Sequence, residues 1–316
     1  MKRALYLFTL WVVASLISPS YVYASVTPSL EPDTFVIGVI SSNPKKAIKR
    51  AGPLAKYIAE RLRPFGVQHG KVIVAPDNKR MSRWLAQGRV DMVSETVFSA
   101  NELIKESGGA IPIAKRWKGG LAEYYTVFFS KQSMDIRGFE DLVNKTVVFE
   151  DRGSTSAFYI PAAILLDSGF ELFELTSPRE SPPEGKIGYL FADELTKAGG
   201  EINMYSWVYN GIVSAAAFSS EDWDSDIAPN IKETLHIFYQ SRSLARSLEL
   251  IRPGMAPAMI EAIEQALLDM HESEEGKIVL KRYKKTTKFE AVDEQLMKDL
   301  EWAKNLKSLV DDNLVN

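Results

Sequence analysis

Phe35-Val-Ile-Gly-Val-Ile40-Ser-Ser-Asn-Pro44 is the stretch on which the architecture turns. An apolar run without polar alternation marks a strand buried on both faces, as in a sheet covered by helices on each side. Asn43 suits a helix N-cap and Pro44 the first helical position, so the strand leads directly into a helix. Helical spacing restarts at Pro53, with Leu54, Ala55, Ile58, Ala59 and Leu62 on one face. Lys71-Val-Ile-Val-Ala75 reads as the next strand and Asn78 as the cap of a short helix ending near Ala86. After Gly88, Val90-Asp-Met-Val93 reads as a third strand. Strands alternating with helices through short links predict βαβ units and parallel pairing.

Beyond this unit, Tyr124-Tyr-Thr-Val-Phe-Phe129 and Thr146-Val-Val-Phe149 read as strands. A helix comes next over 156–167, with Gly169 as its stop, then helices near 192–198 and 206–210 and a strand over 212–218. The order helix, glycine, strand occurs twice, at 84–93 and at 207–218, which suggests two lobes built on one plan. From Ala256 onward the spacing is helical, ending in an amphipathic helix over 292–309. The expected fold is α/β, with two lobes of mostly parallel sheet flanked by helices and the second inserted in the first. Lobe one takes 25–125 and 228–316, and lobe two takes 126–227. The crossovers fall at 124–130 and 218–235. Ligands of such sheets sit beyond the carboxyl ends of the strands, here between the lobes.

Composition removes several classes of function. The 316 residues are 46% hydrophobic and 25% charged, which is globular rather than collagen-like or disordered. The absence of cysteine excludes thiolate zinc sites, iron–sulfur clusters, thiol nucleophiles and disulfides. Three histidines, His69, His236 and His271, leave little for metal or imidazole chemistry, so neither metal nor cofactor is expected. A net charge of −3 offers no basic field for nucleic acid. At the N-terminus, Lys2 and Arg3 precede an apolar run over 4–17, then Ser18-Pro-Ser20 and Val22-Tyr-Ala24. The run is shorter than the roughly 20 residues of a membrane span and reads as a signal peptide cleaved after 24. No cysteine stands after it to carry a lipid. The expectation is a protein free in the periplasm.

Val148-Phe-Glu-Asp-Arg-Gly-Ser-Thr-Ser156 carries the chemistry. A buried strand runs through a glycine turn into Ser154, Thr155 and Ser156 at a helix start. Unpaired N–H groups and the positive end of the helix dipole bind anions there, and the hydroxyls add donors. N-capping alone would need one such residue, not three. The stretch lacks a Walker ending, so it is not read as a nucleotide site, and neither Gly-x-Ser-x-Gly nor His-Glu-x-x-His occurs. No catalytic residue is expected.

Gly153-Ser-Thr-Ser-Ala-Phe-Tyr-Ile-Pro-Ala-Ala-Ile-Leu-Leu-Asp-Ser-Gly169 resembles the signature of the phosphate/phosphite/phosphonate-binding proteins of ABC importers. Gly52-Pro-Leu-Ala-Lys-Tyr-Ile58, Gln87-Gly-Arg-Val-Asp-Met92, Phe98-Ser99, Val208-Tyr-Asn-Gly-Ile-Val-Ser-Ala-Ala-Ala217 and Arg252-Pro-Gly254 extend the resemblance along most of the chain, in order. It implies the type 2 periplasmic binding protein fold, an oxyanion held by Ser154, Thr155 and Ser156, and docking on a membrane permease. The sequence departs from the pattern in three places. Ser94-Glu-Thr-Val97 stands where many relatives have an aromatic residue and Gly-Pro. Gly188-Tyr-Leu-Phe-Ala-Asp193 replaces a Gly-Ser-His-Asp stretch, and Gly211-Ile-Val-Ser214 lacks the second aspartate. These leave the fold inference intact and the choice of ligand open.

Position marks further candidates. Glu95 lies past a buried strand, where a carboxylate accepts a proton from hydrogen phosphate or pairs with a ligand amine; the alternative is a loop Glu paired with Lys or Arg. Ser41 is at the equivalent point after the first strand, as a ligand contact or a helix-entry residue. Of Tyr124 and Tyr125, alternation sends at most one towards the cleft, and Tyr124 is taken. Tyr189 and Asp222 lie near the second lobe's strand ends and its crossover. Lys45, Lys46, Lys49 and Arg50 form a basic helix face, either solvated or a rim that attracts anions. The expected function is capture of a small tetrahedral oxyanion (phosphonate, phosphite or phosphate) by a monomer that closes about a hinge and delivers it to an ABC permease. Presentation to a sensor kinase and enzymatic action on a small metabolite are the alternatives.

Overall fold

The computed structural model describes residues 31–196 and 200–315. The expected signal peptide and the end of the helix expected near 192–198 lie outside the described residues. Four strands come from the first pass of the chain: β1 (Thr34–Ile40), β2 (His69–Ala75), β3 (Met92–Glu95) and β4 (Ile111–Arg116). After a short strand β5 (Glu123–Tyr124), the chain makes β6 (Thr126–Lys131), β7 (Thr146–Phe149), β8 (Leu172–Glu174), β9 (Ile187–Phe191), β10 (Ala215–Ser219) and β11 (Leu235–Gln240). It returns through β12 (Leu244–Ala245) to β13 (Leu248–Ile251) and β14 (Phe289–Ala291). One sheet has the order β14-β4-β13-β3-β1-β2 and the other β11-β6-β10-β7-β9-β8. β1 is parallel to both β2 and β3, and β7 to both β9 and β10, whereas β13 is antiparallel to β3 and β4 and β6 to β10 and β11. Both sheets are therefore mixed rather than mostly parallel.

The unalternating apolar runs have the expected cause. Val36 packs on one side of its sheet while Phe35 and Ile37 pack on the other, and Val147 and Phe149 likewise oppose Val148. Helices therefore cover each sheet on both faces. The helix α1 (Pro44–Arg61) is capped by Asn43, whose side chain accepts from the Lys46 N–H at 3.1 Å. It does not break at Pro53, as the spacing suggested: a proline removes one N–H from the ladder, and the flanking turns with buried Ala51, Leu54 and Ala55 carry the helix through. The short helix α2 (Asn78–Ala86) is capped by Asp77 rather than Asn78.

The two glycine-to-strand passages match bond for bond. Gly88 and Gly211 have φ of 67° and 70°. Arg89 N–H donates to Trp84 C=O at 2.9 Å, and Ile212 N–H to Trp207 C=O at 2.8 Å. Asp91 and Ser214 then donate to Val36 and Thr146, each at 2.9 Å. The side chains at these two positions set the lobes apart. Asp91 accepts from Val36 N–H and pairs with Arg252 Nε at 2.9 Å, both side chains buried. Among the described residues Ser214 has no cationic partner, and its carbonyl takes the Ser130 hydroxyl at 2.7 Å. This accounts for the missing second aspartate.

Between the sheets, β5 and β12 pair as a two-stranded ribbon, Tyr124 opposite Leu244. The strand expected over 124–129 is broken at Tyr125, where the chain leaves the ribbon for the second sheet. The return comes later than the expected boundary at 228, because β11 pairs antiparallel with β6 in the second sheet. The helices α3 (Val97–Glu106) of lobe one and α4 (Ile160–Asp167) of lobe two both pack on the C-terminal helix Glu294–Val310. No helix among the described residues is long and apolar enough to cross a membrane. Arg252→Met should cost about 3–5 kcal/mol in urea unfolding, because it strands the buried Asp91 carboxylate. A loss below about 1 kcal/mol, the range of an exposed pair, would contradict this account of the lobe-one frame.

Candidate functional site

The carboxyl ends of β1 and β3 open on a cavity of about 270 Å³ in lobe one. Ser41 and Asn43 enter it from the turn into α1: Asn43 N–H donates to Ser41 Oγ at 3.0 Å. One turn on, Lys46 and Arg50 sit four residues apart on the same face of α1 and form the rim, above the buried Ala47 and Ala51. Ser94 and Glu95 end β3, so Glu95 is the last residue of the strand rather than the first of the loop. Arg116 ends β4 and is 3% exposed; its Nη1 donates to Ser94 Oγ at 2.7 Å, and its guanidinium lies 4.5 Å from the Tyr283 ring centre. Lys284, after the helix Glu274–Arg282, completes the wall.

Cations outnumber acids here. Lys46, Arg50, Arg116 and Lys284 line the cavity with one carboxylate, Glu95. Desolvation holds the Glu95 carboxyl above its ordinary range, against the opposing pull of Lys284, the Thr96 N–H, Lys118 and Arg116. Lys118 is pushed down to about 7 by desolvation first, and then by the charges of Arg246, Lys284 and Arg116. Beneath the cavity, Glu249 is fully buried with Oε1 3.6 Å from Arg116 Nη1, and burial pushes its carboxyl up to about 7.

The opposing edge of lobe two carries hydroxyls and carboxylates. Ser154 caps its helix, accepting from Ala157 N–H at 3.2 Å. Thr155 is buried; its hydroxyl lies 3.1 Å from that of Thr96 across the lobes and also meets Tyr124. Ser156 is half-buried, and its carbonyl takes the Thr126 hydroxyl at 2.9 Å. Behind this edge, desolvation and the neighbouring Glu201 and Asp151 push Glu150 up to about 8. Asp222, bonded to Ser219, is pushed up to about 6 by desolvation, with Glu201 among the carboxylates that add to it. An ion pair also spans the lobes, Arg246 Nε to Glu221 at 2.9 Å.

Of the residues singled out in the sequence, Glu95 and Ser41 come together in the lobe-one cavity. Ser154, Thr155, Ser156 and Tyr124 gather at the contact between the lobes instead, with their polar groups largely engaged by protein. Tyr189 packs among Phe149 and Phe191 and donates to Glu174 at 3.1 Å, beside Arg152, so it belongs to a different cluster. Of the basic helix face, Lys46 and Arg50 line the cavity. Sequence reading missed Arg116, Lys284, Glu249 and Glu150. Only Glu150 stood within a quoted motif, and its buried carboxylate neighbours come from elsewhere in the chain.

Glu150 carries a pH signature. Its folded value near 8 lies above the ordinary value of 4.5. Across that window the native state holds the extra proton, so stability falls as pH rises. Glu150→Gln should therefore raise the melting temperature at pH 8.5, with the gain shrinking towards pH 5. An equal effect at both pH values would remove the assignment.

Known proteins share this fold. The sequence profile of the ABC transporter phosphonate periplasmic substrate-binding family matches residues 37–297. XAC2383 from Xanthomonas citri, solved bound to ATP, is 30% identical with a TM-score of 0.80, covering 89% of this chain and 99% of that one. PhnD1 from Prochlorococcus marinus, solved with methylphosphonate, is 16% identical with a TM-score of 0.58, over 89% and 98%. A binding protein component of the ABC phosphonate transporter from Pseudomonas aeruginosa is 17% identical with a TM-score of 0.59, over 90% of each chain. The latter two share the type 2 periplasmic binding fold with this protein. The family takes a small-molecule ligand and serves a membrane permease. The chain belongs to the phosphonate periplasmic substrate-binding family of ABC transporters, with a solute-binding role for an importer.

Proposed function

We propose that this protein captures a phosphorus oxyanion between the cationic cavity of lobe one and the hydroxyl edge of lobe two. The observation that carries the reading is the set of four cations around one carboxylate at the strand ends of lobe one. An anion there offsets their mutual repulsion and keeps the half-buried Lys118 protonated. Ser154, Thr155 and Ser156, at the start of a helical segment, exchange their present protein partners for the ligand and supply hydroxyl and N–H donors as lobe two closes about the β5–β12 ribbon. The ATP held by the Xanthomonas citri relative supports a phosphate-bearing ligand. Methylphosphonate in the Prochlorococcus marinus protein, which shares the fold, fits the same chemistry.

In this reading the protein is a monomer exported through the leader at 1–24 and hands its ligand to the permease unchanged, with no catalytic step. The test is thermal unfolding with phosphate, phosphite, methylphosphonate, 2-aminoethylphosphonate and sulfate. A ligand at about a thousand times its Kd adds roughly 4 kcal/mol of stability, a readily measured rise in Tm. At least one phosphorus oxyanion should stabilise the protein more than sulfate does. The pair Ser154→Ala and Thr155→Ala should weaken that response, and Arg116→Gln should abolish it. No response to any phosphorus oxyanion would defeat the reading.

A further inference from the structure

The cavity is larger and more cationic than one tetrahedral anion requires. Its volume of about 270 Å³ is many times the ~10–15 Å³ of probe space that a single water needs. Glu95 in the wall and Glu249 beneath Arg116 offset at most two of the four lining cations. A phosphate monoester brings only about −1.5 to −2 at neutral pH. One such group leaves the outer cations still repelling each other.

Two independent features mark the walls as built for an anion. Arg116 lines the cavity at 3% exposure, and its buried Nε has no hydrogen-bond partner among the described residues. Lys284 and Lys285 have φ of 52° and 53°, in the left-handed region where glycine is the usual occupant after a helix. The Lys284 carbonyl is held there by Gly119 N–H at 3.3 Å. Glycine would make this turn with less strain, whereas lysine at 284 places an ammonium group on the cavity wall.

Resting on the reading that this cavity holds the anion, we infer that its ligand carries two linked phosphoryl groups, as in pyrophosphate or an organic diphosphate. One group seats on the floor against Arg116 and Ser94, and the second at the rim against Lys46, Arg50 and Lys284. The linkage lets a single molecule satisfy cations contributed by α1, β4 and the 284–285 turn.

Titration calorimetry of the protein with inorganic pyrophosphate, ADP, phosphate and methylphosphonate tests this. Pyrophosphate or ADP should bind at least tenfold more tightly than phosphate and methylphosphonate. Tighter ADP would identify an ester as the source, and tighter pyrophosphate the free ion. Lys284→Gly should erase the tenfold advantage while leaving the melting temperature of the unliganded protein equal or higher. Arg50→Gln, on the exposed face of α1, should reduce it several-fold. Methylphosphonate binding as tightly as pyrophosphate and ADP would overturn the inference while leaving the proposed function standing. Failure of all four ions to bind would overturn both.

Discussion

Arg116 and Glu249 face each other 3.6 Å apart under the lobe-one cavity, both shut off from solvent. Burying either charge alone costs several kcal/mol, so Arg116 is held by its carboxylate partner, while burial still pushes the Glu249 carboxyl up to about 7. The pair is fixed by the sheet itself: β13 lies between β3 and β4, with Glu249 in register with Ser94 and Ala114. Arg116 is further held by Ser94 and by the Tyr283 ring. A guanidinium fixed in this way needs little reordering when an anion arrives, which lowers the entropic cost of binding.

The rest of the site is arranged around that cation. α1 supplies Lys46 and Arg50 because Asn43 and Pro44 start the helix at the end of β1. The turn after the helix Glu274–Arg282 supplies Lys284. Lobe two answers with hydroxyls and carboxylates, and it touches lobe one through Thr155 with Thr96 and Glu221 with Arg246. Those two contacts flank the β5–β12 ribbon, where the chain crosses between sheets. Lobe one thus presents positive charge at its strand ends and lobe two negative charge behind its hydroxyl edge. A bound anion neutralises part of lobe one's charge, so closure over it depends on the hydroxyl and N–H donors that stand in front of lobe two's carboxylates.

Much of the scaffold was legible in the sequence, because two-sided burial leaves a local mark. The apolar runs at Phe35 and Thr146 and the glycines at 88 and 211 specify strands and helix ends within a few residues. β13 escaped notice because it is four residues long and carries Glu249 at its centre. The boundary at 228 fell short because β11 owes its place to pairing with β6, about a hundred positions earlier. The site was legible only in part. Ser41 and Glu95 sit at the ends of strands that the apolar pattern reveals. Arg116, Glu249 and Lys284 acquire meaning only when β4, β13 and a C-terminal turn converge. The hydroxyl run at Ser154–Ser156 was visible as a motif, but not its engagement with Thr96 and Tyr124.

The location of the bound anion tests the account most directly. A crystal structure of the protein with a phosphorus oxyanion that stabilises it should place a phosphorus atom against the Arg116 guanidinium and the Lys284 ammonium group, with Ser154–Ser156 facing it from lobe two. A phosphorus atom at the lobe-two hydroxyls with no contact to Arg116 or Lys284 would contradict the claim that lobe one's cationic cavity holds the ligand.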